Sequence, residues 1–211
     1  MDINYYNNIR FDILDLINKN NLQKVLEIGC GNGSTLGYLK KNGYAHKTFG
    51  LESNLECKKH AKANEIDYFL VCDVEDSNLK LNETFDVILF LDVLEHLLHP
   101  WDVLNNISKR LNKDGLIIIS IPNIRNLKIL TNLIFKGKWD YELSGILDYT
   151  HIRFFTDKSF RNQLNNQKIN YSIKHFKRNY DYMSLTKKWM KKIPLLKEFV
   201  TCQLIYSITI K

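Results

Sequence analysis

The sequence predicts an α/β domain built on a largely parallel sheet with helices on both faces. Three observations lead there. Apolar runs of strand length alternate with helical patterns from residue 23 to residue 123, the rhythm of successive βαβ units. Those runs are almost uninterrupted, as in Phe85–Leu91 and Leu116–Ile121, which suits strands covered on both sides. The first run, Val25–Ile28, leads into Gly29-Cys30-Gly31-Asn32-Gly33-Ser34. There the chain must turn tightly from strand to helix, and glycines let a ligand approach the main chain.

Taken in order, residues 3–20 read as a helix, with Ile9, Ile13, Leu16 and Ile17 on one face. Val25–Ile28 is the first strand and Ser34–Lys41 the first crossover helix, stopped by Asn42-Gly43. Thr48–Leu51 is the second strand, followed by a helix from Leu55 to Ala63. Tyr68–Val71 is the third strand and Phe85–Leu91 the fourth. Pro100–Leu111 is a helix with proline in its first turn, and Leu116–Ile121 is the fifth strand. After Asn123 the rhythm breaks. Residues 124–155 hold Phe135, Trp139, Tyr141, Tyr149, Phe154 and Phe155 with little clean periodicity, and read as an insertion over the carboxyl edge of the sheet. Thr156–Leu164 resumes as a helix whose Thr156 and Ser159 supply capping chemistry. Asn170–Phe176 is a strand, Tyr182–Leu196 a basic and apolar segment, and Phe199–Ile210 the last strand.

The 211 residues therefore read as one domain: an N-terminal helix over 1–22, a core over 23–123, the insertion 124–155, and a C-terminal helix and strands over 156–211. No run reaches the ~20 apolar residues of a spanning helix. Cys30, Cys57, Cys72 and Cys202 lack the paired spacing of a disulfide framework or zinc site, so a reducing cytoplasm is expected. The net charge of +7 divides unevenly, −4 over residues 1–122 and +11 over 123–211. That asymmetry allows an anionic partner. The basic residues are not interleaved with a recognisable RNA module, so nucleic acid is not expected.

In open parallel sheets ligands sit beyond the carboxyl ends of the strands. Four such ends carry polar chemistry: Glu27 to Gly33, Glu52, Asp73, and Asp92 to His96. An acid ending the second strand can accept from both hydroxyls of a ribose. Glu52 follows Glu27 by about the spacing of a nucleotide fingerprint, ~20 residues. Together with an acid after the third strand, this points to an adenosine ligand.

These segments resemble the class I S-adenosylmethionine-dependent methyltransferases. The resemblance runs continuously over residues 24–123, through VLEIGCGNGSTLGYLKKNG, FGLESN, VCDVED and FDVILFLDVLEHLLHPWDVLNNISKRLNKDGLIIISIPN. It implies a Rossmann-like sheet of seven strands, the last antiparallel between its neighbours, with S-adenosyl-L-methionine as cofactor and S-adenosyl-L-homocysteine as product. It implies that Glu27, Gly29, Gly31 and Gly33 line the methionine portion, and that Glu52 holds the ribose with Ser53 beside it. Asp73 and Val74 would flank adenine, and Leu91 and Asp92 would approach the methionine portion. Asp73 alternatively caps a turn. A shorter element, Asp148-Tyr149-Thr150-His151-Ile152-Arg153-Phe154-Phe155-Thr156, resembles one found in small methyltransferases of bacterial polysaccharide and quinone pathways.

Methyl transfer to a hydroxyl benefits from a general base near neutral pKa, which histidine provides. His151 is the expected base or main acceptor contact, with His96 lining the mouth and Tyr149 and Arg153 as acceptor contacts. Each histidine has a purely structural alternative. No histidine–carboxylate cluster at metal spacing is visible, so no metal is expected. The leading acceptor is a small molecule or saccharide of cell-surface glycan synthesis, methylated at oxygen. The alternatives are a quinone-precursor or amino-sugar N-methyltransferase, an RNA-binding protein, and a non-catalytic cofactor-binding subunit. Residues 187–199 could contact a membrane peripherally through lysines and apolar side chains.

Overall fold

The computed structural model describes residues 8–19, 23–180, 190–194 and 196–211. Seven strands form one sheet: β1 (Gln23–Ile28), β2 (Ala45–Glu52), β3 (Tyr68–Val71), β4 (Phe85–Leu91), β5 (Leu111–Pro122), β6 (Tyr171–Tyr180) and β7 (Thr201–Ile210). Their order is β3-β2-β1-β4-β5-β7-β6. β1 to β5 pair in parallel, and β7 runs antiparallel to both β5 and β6. The Rossmann-like fold expected from the resemblance is therefore the observed one. The chain reverses its direction of winding between β1 and β4, so a crevice opens beyond the carboxyl ends of those two strands.

Burial follows the sequence pattern. In β4, Val87, Ile88, Leu89 and Phe90 are wholly buried, and alternate side chains enter the two cores on either face of the sheet. Among the described residues there are five α-helices: α1 (Ser34–Lys41), α2 (Cys57–Ala61), α3 (Pro100–Ser108), α4 (Leu127–Lys136) and α5 (Asp157–Asn165). The expected cap of α5 is complete, with Thr156 Oγ1 accepting from Ser159 N and Ser159 Oγ accepting from Thr156 N.

Several element boundaries differ from expectation. In the N-terminal segment, the described residues form a 3-10 helix over Phe11–Leu16 in place of an α-helix. Lys177 Nζ donates to the Asp12 carbonyl, and Arg10 and Asp12 pair with each other, so side-chain bonds compete with a regular helix. β6 continues to Tyr180 because it pairs with β7 over that length. β7 starts after a 3-10 turn over Lys197–Val200. α4 lies inside the insertion that lacked clean periodicity. Asn126 caps it, its side chain accepting from Lys128 N, and Gly137 at φ 62° ends it. Most of the basic segment 182–196 lies outside the described residues, as does residues 187–189 of the expected membrane contact. Among the described residues no helix is long and apolar enough to cross a membrane.

Candidate active site

The carboxyl ends of β1 to β4 converge on a cavity of about 840 Å3. Gly29, Glu52, Ser53, Asp73, Val74, Asp92 and His96 line it from the core, and Leu143 and Tyr149 from the insertion. Sequence-chosen residues from four separate strand ends thus meet in one space. Glu27, Gly31, Gly33 and Leu91, also expected at the cofactor, are not among its lining residues.

The loop after β1 is held in a form that needs glycine. Gly29 has φ 64°, and a Cβ there would lie 2.7 Å from Val93 Cγ2. Gly33 has φ 74°, and a Cβ would lie 1.8 Å from Ile66 Cδ1. The loop is tied to the second strand end. Gly31 N donates to Glu52 Oε2 at 2.9 Å, and Asn54 N donates to Glu52 Oε1 at 2.8 Å. One carboxylate thereby fixes two turns while facing the cavity. Asp73 combines both of its expected readings. Its Oδ1 accepts from Glu75 N at 2.8 Å, which caps the turn, and the residue also lines the cavity.

Asp92 sits at φ 59°, where a side chain costs of order 1–3 kcal/mol. Surrounding bonds hold it there. Its N–H donates to the Ser120 carbonyl at 3.0 Å, and its carboxylate accepts from Arg10 Nη1 at 2.5 Å and from Gln203 Nε2. Arg10 also donates to Asp12 through Nε (3.0 Å) and Nη2 (2.9 Å), and to Ser120 Oγ at 2.7 Å. Burial works against the guanidinium charge, and Asp92 and Asp12 outweigh it, raising the pKa. Sequence reading missed Arg10. Apart from Asp12, its partners are 82 and 110 residues away, and only an arginine preceding the first strand could have flagged it.

Glu27 is buried at 4 % exposure, and its Oε2 has no hydrogen-bond partner among the described residues. Burial pushes its carboxyl up to about 8, with Arg10 pulling down and Glu52 pushing further up. Near pH 7 it is mostly protonated. A cation placed beside it would favour the carboxylate, so binding a cationic donor should release a proton. Donor affinity should accordingly rise with pH up to about 8, and Glu27→Gln should flatten the slope. Calorimetry in two buffers of different ionisation enthalpy reads this directly. The same raised value makes the folded state lose stability as pH climbs from about 4.5 towards 8, because the unfolded chain gives up that proton first.

The insertion docks on the turn after β4. Ile152 N and Arg153 N both donate to the Glu95 carbonyl at 3.0 Å. His96 Nδ1 lies 3.0 Å from Thr150 Oγ1, and its ring meets His151 edge-to-face at 4.6 Å. Burial lowers the His96 pKa, with His151 adding to the effect, which favours the neutral ring. Of the two expected histidines it is His96 that lines the cavity. His151 is 6 % exposed and lies behind it, with Nδ1 3.0 Å from the Ile146 carbonyl and Nε2 4.0 Å from Glu95 Oε1. Arg153 is also drawn away from its expected role. Its Nη2 donates to the Leu98 carbonyl at 2.5 Å and its Nε to Leu97 at 3.4 Å, so it latches the insertion down. Glu95 is wholly buried, and burial with Asp92 nearby pushes its carboxyl well above the ordinary range. The expectation that no histidine–carboxylate cluster has metal spacing is corrected in space. Glu95, His96 and His151 each bring one donor atom within 4.8 Å of the others. The separation of 55 positions between His96 and His151 hides this in the sequence.

A family profile described as a methyltransferase domain matches residues 6–174. The chain belongs to that family. Its glycine loop, the Glu52 carboxylate and the cavity between them have the chemistry to fit S-adenosyl-L-methionine. The chain is similar to the ubiquinone biosynthesis O-methyltransferase of Rickettsia canadensis, 28% identical over 131 residues. That alignment covers 61% of this chain and 53% of the relative, so the chain spans about half the length of that curated protein. A SAM-dependent methyltransferase from Archaeoglobus fulgidus shares the fold, with a TM-score of 0.64 and 18% identity, over 96% of this chain and 91% of that one. The plantazolicin methyltransferase BamL, solved with a triazolic analog and SAH, also has a TM-score of 0.64 and 18% identity, covering 99% and 84%.

Proposed function

We propose that this methyltransferase acts on a hydroxyl oxygen of a small, largely apolar acceptor, of the phenolic kind that quinone precursors present. The observation that carries the proposal is a neutral histidine, His96, lining the same cavity as Glu52 and Asp73. Around it the cavity is lined by apolar Val93, Leu97, Leu143 and Tyr149 together with polar Ser144, Asp148 and Thr150, which suits an aromatic ring that carries hydroxyls. The quinone relatives support this acceptor class, and the expected saccharide of glycan synthesis finds no support in them.

When bound, the cofactor supplies a methyl group activated by its sulfonium, so the protein mainly aligns the nucleophile and excludes water. Glu52 would take the ribose hydroxyls and Ser53 would stand beside them. Asp73 and Val74 would flank the adenine, and Glu27, Gly29 and Asp92 would receive the methionine end. His96 takes the hydroxyl proton as the acceptor oxygen attacks, which leaves the ring as an imidazolium until solvent removes it.

The test supplies radiolabelled S-adenosylmethionine with catechols and hydroxybenzoates on one side and nucleotide sugars on the other. Label should enter a phenolic acceptor, and His96→Ala should lower kcat about 100-fold. Label confined to a saccharide would overturn the acceptor class. Unchanged turnover in the His96 variant would overturn its role.

A further inference from the structure

Two insertion residues that line the cavity, Asp148 and Thr150, have no part in the reading so far. We propose that Asp148 and Thr150 are positioning residues that lock His96 with its proton on Nδ1, keeping the Nε2 lone pair for the acceptor. This rests on the reading of His96 as the base.

The hydrogen bonds allow one arrangement. Asp148 is 3 % exposed, and its Oδ1 accepts from Thr150 N at 2.8 Å and from Thr150 Oγ1 at 2.6 Å. A hydroxyl has one proton, and here it points at the carboxylate. Thr150 Oγ1 therefore meets His96 Nδ1, 3.0 Å away, with a lone pair. The Thr150 carbonyl, 3.3 Å from the same nitrogen, can only accept. With acceptors on both approaches, Nδ1 must be the donor, and Nε2 is left unprotonated. Which ring nitrogen holds the proton is set by the bond the other makes, so this pair fixes the form that can act as a base.

The placement is anchored from both sides. The backbone bonds from Ile152 and Arg153 to the Glu95 carbonyl hold the insertion opposite the turn that carries His96. His151, its own Nδ1 directed at the Ile146 carbonyl, supports the His96 ring edge-to-face. The sequence element Asp148-x-Thr150-His151 thus has a physical meaning: acceptor, relay hydroxyl and ring support for a histidine 52 to 55 residues earlier.

The experiment is nitrogen-15 NMR of the His96 ring in the labelled full chain with SAH bound, paired with steady-state kinetics on the acceptor identified above. The wild type should show a protonated, pyrrole-type Nδ1 and a pyridine-type Nε2. Thr150→Val removes the nearer acceptor and leaves only the residue-150 carbonyl at 3.3 Å, so the Nε2-protonated tautomer should become measurably populated and kcat should fall about 10-fold with KM within twofold. Thr150→Ser, which keeps the hydroxyl, should restore both the spectrum and kcat to within threefold. A pyridine-type Nδ1 in the wild type, or a Thr150→Val protein that keeps both tautomer and rate, would overturn the proposal. The spectrum needs no acceptor, so it is decided separately from the base assignment. Undiminished turnover by His96→Ala alongside the expected tautomer would reject the base and leave the lock standing. Should Thr150→Val fail to fold, the wild-type and Thr150→Ser spectra still decide.

Discussion

Replacing Glu52 with alanine is expected to weaken S-adenosylmethionine binding by about 100-fold or more. A carboxylate accepting from two ribose hydroxyls makes two charge-assisted hydrogen bonds, each of about 1.5–3 kcal/mol. Losing both costs at least two decades in the dissociation constant, at ~1.4 kcal/mol per decade. The side chain also holds the site in shape, since Gly31 N and Asn54 N bond to its two oxygens. Alanine would release both turns at once. Glutamine separates these contributions. It keeps one acceptor oxygen and the volume while losing the charge, and should cost about tenfold. Calorimetric titration with SAH reads the affinity, and a melt without ligand reads the damage to the turns. Affinity within threefold of wild type for Glu52→Ala would remove Glu52 from the donor site.

The strand ends that meet at the cavity were legible because the donor side of the candidate site obeys local rules. Each of its acids closes a strand whose apolar run is visible, and the parallel sheet carries all four ends to one edge. Glu27, Glu52, Asp73 and Asp92 could be chosen by position alone. The acceptor half depends on contacts between distant segments. Nothing in Ile152-Arg153 announces that both amides will bond to the Glu95 carbonyl, or that the Arg153 guanidinium will be used on Leu97 and Leu98. That docking decides which histidine reaches the cavity, and it places His96 in front of His151. α4 was missed for a different reason. Its last turn exposes Leu133, Ile134 and Phe135 in succession, so its apolar residues do not trace one face, although Asn126 and Gly137 marked its ends.

Arg10→Ala is expected to be the most damaging change outside the cavity lining. The guanidinium is 13 % exposed and joins Asp12, Asp92 and Ser120 through four hydrogen bonds. Removing it leaves two carboxylates facing each other without their cation. Breaking a buried pair in this way costs about 3–5 kcal/mol. Asp92 is 39 % exposed, so solvent screening lowers the figure to about 2–3 kcal/mol. For a chain of this size that is a fall in Tm of roughly 5–10 °C. The pH dependence carries the signature of the pair. Burial alone would raise the Asp12 pKa, but the Arg10 hydrogen bond and charge hold it below its ordinary value. A depressed carboxylate contributes stability that is present above its unfolded pKa and is lost as pH falls through the folded one. The gap between wild type and Arg10→Ala should therefore be widest near neutral pH and close below about pH 4. Arg10→Lys should recover only part of it, because an ammonium cannot reproduce the planar two-toothed bond to Asp12 while reaching Asp92. Chemical denaturation of the three proteins at pH 7 and pH 4 measures this, and a gap independent of pH would show that Arg10 acts by packing alone. Asp92 stands in the left-handed region only because Arg10, Gln203 and the Ser120 carbonyl hold it there. The same substitution should thus loosen the fourth strand end and weaken donor binding, which links the stability of the N-terminal segment to the chemistry of the site.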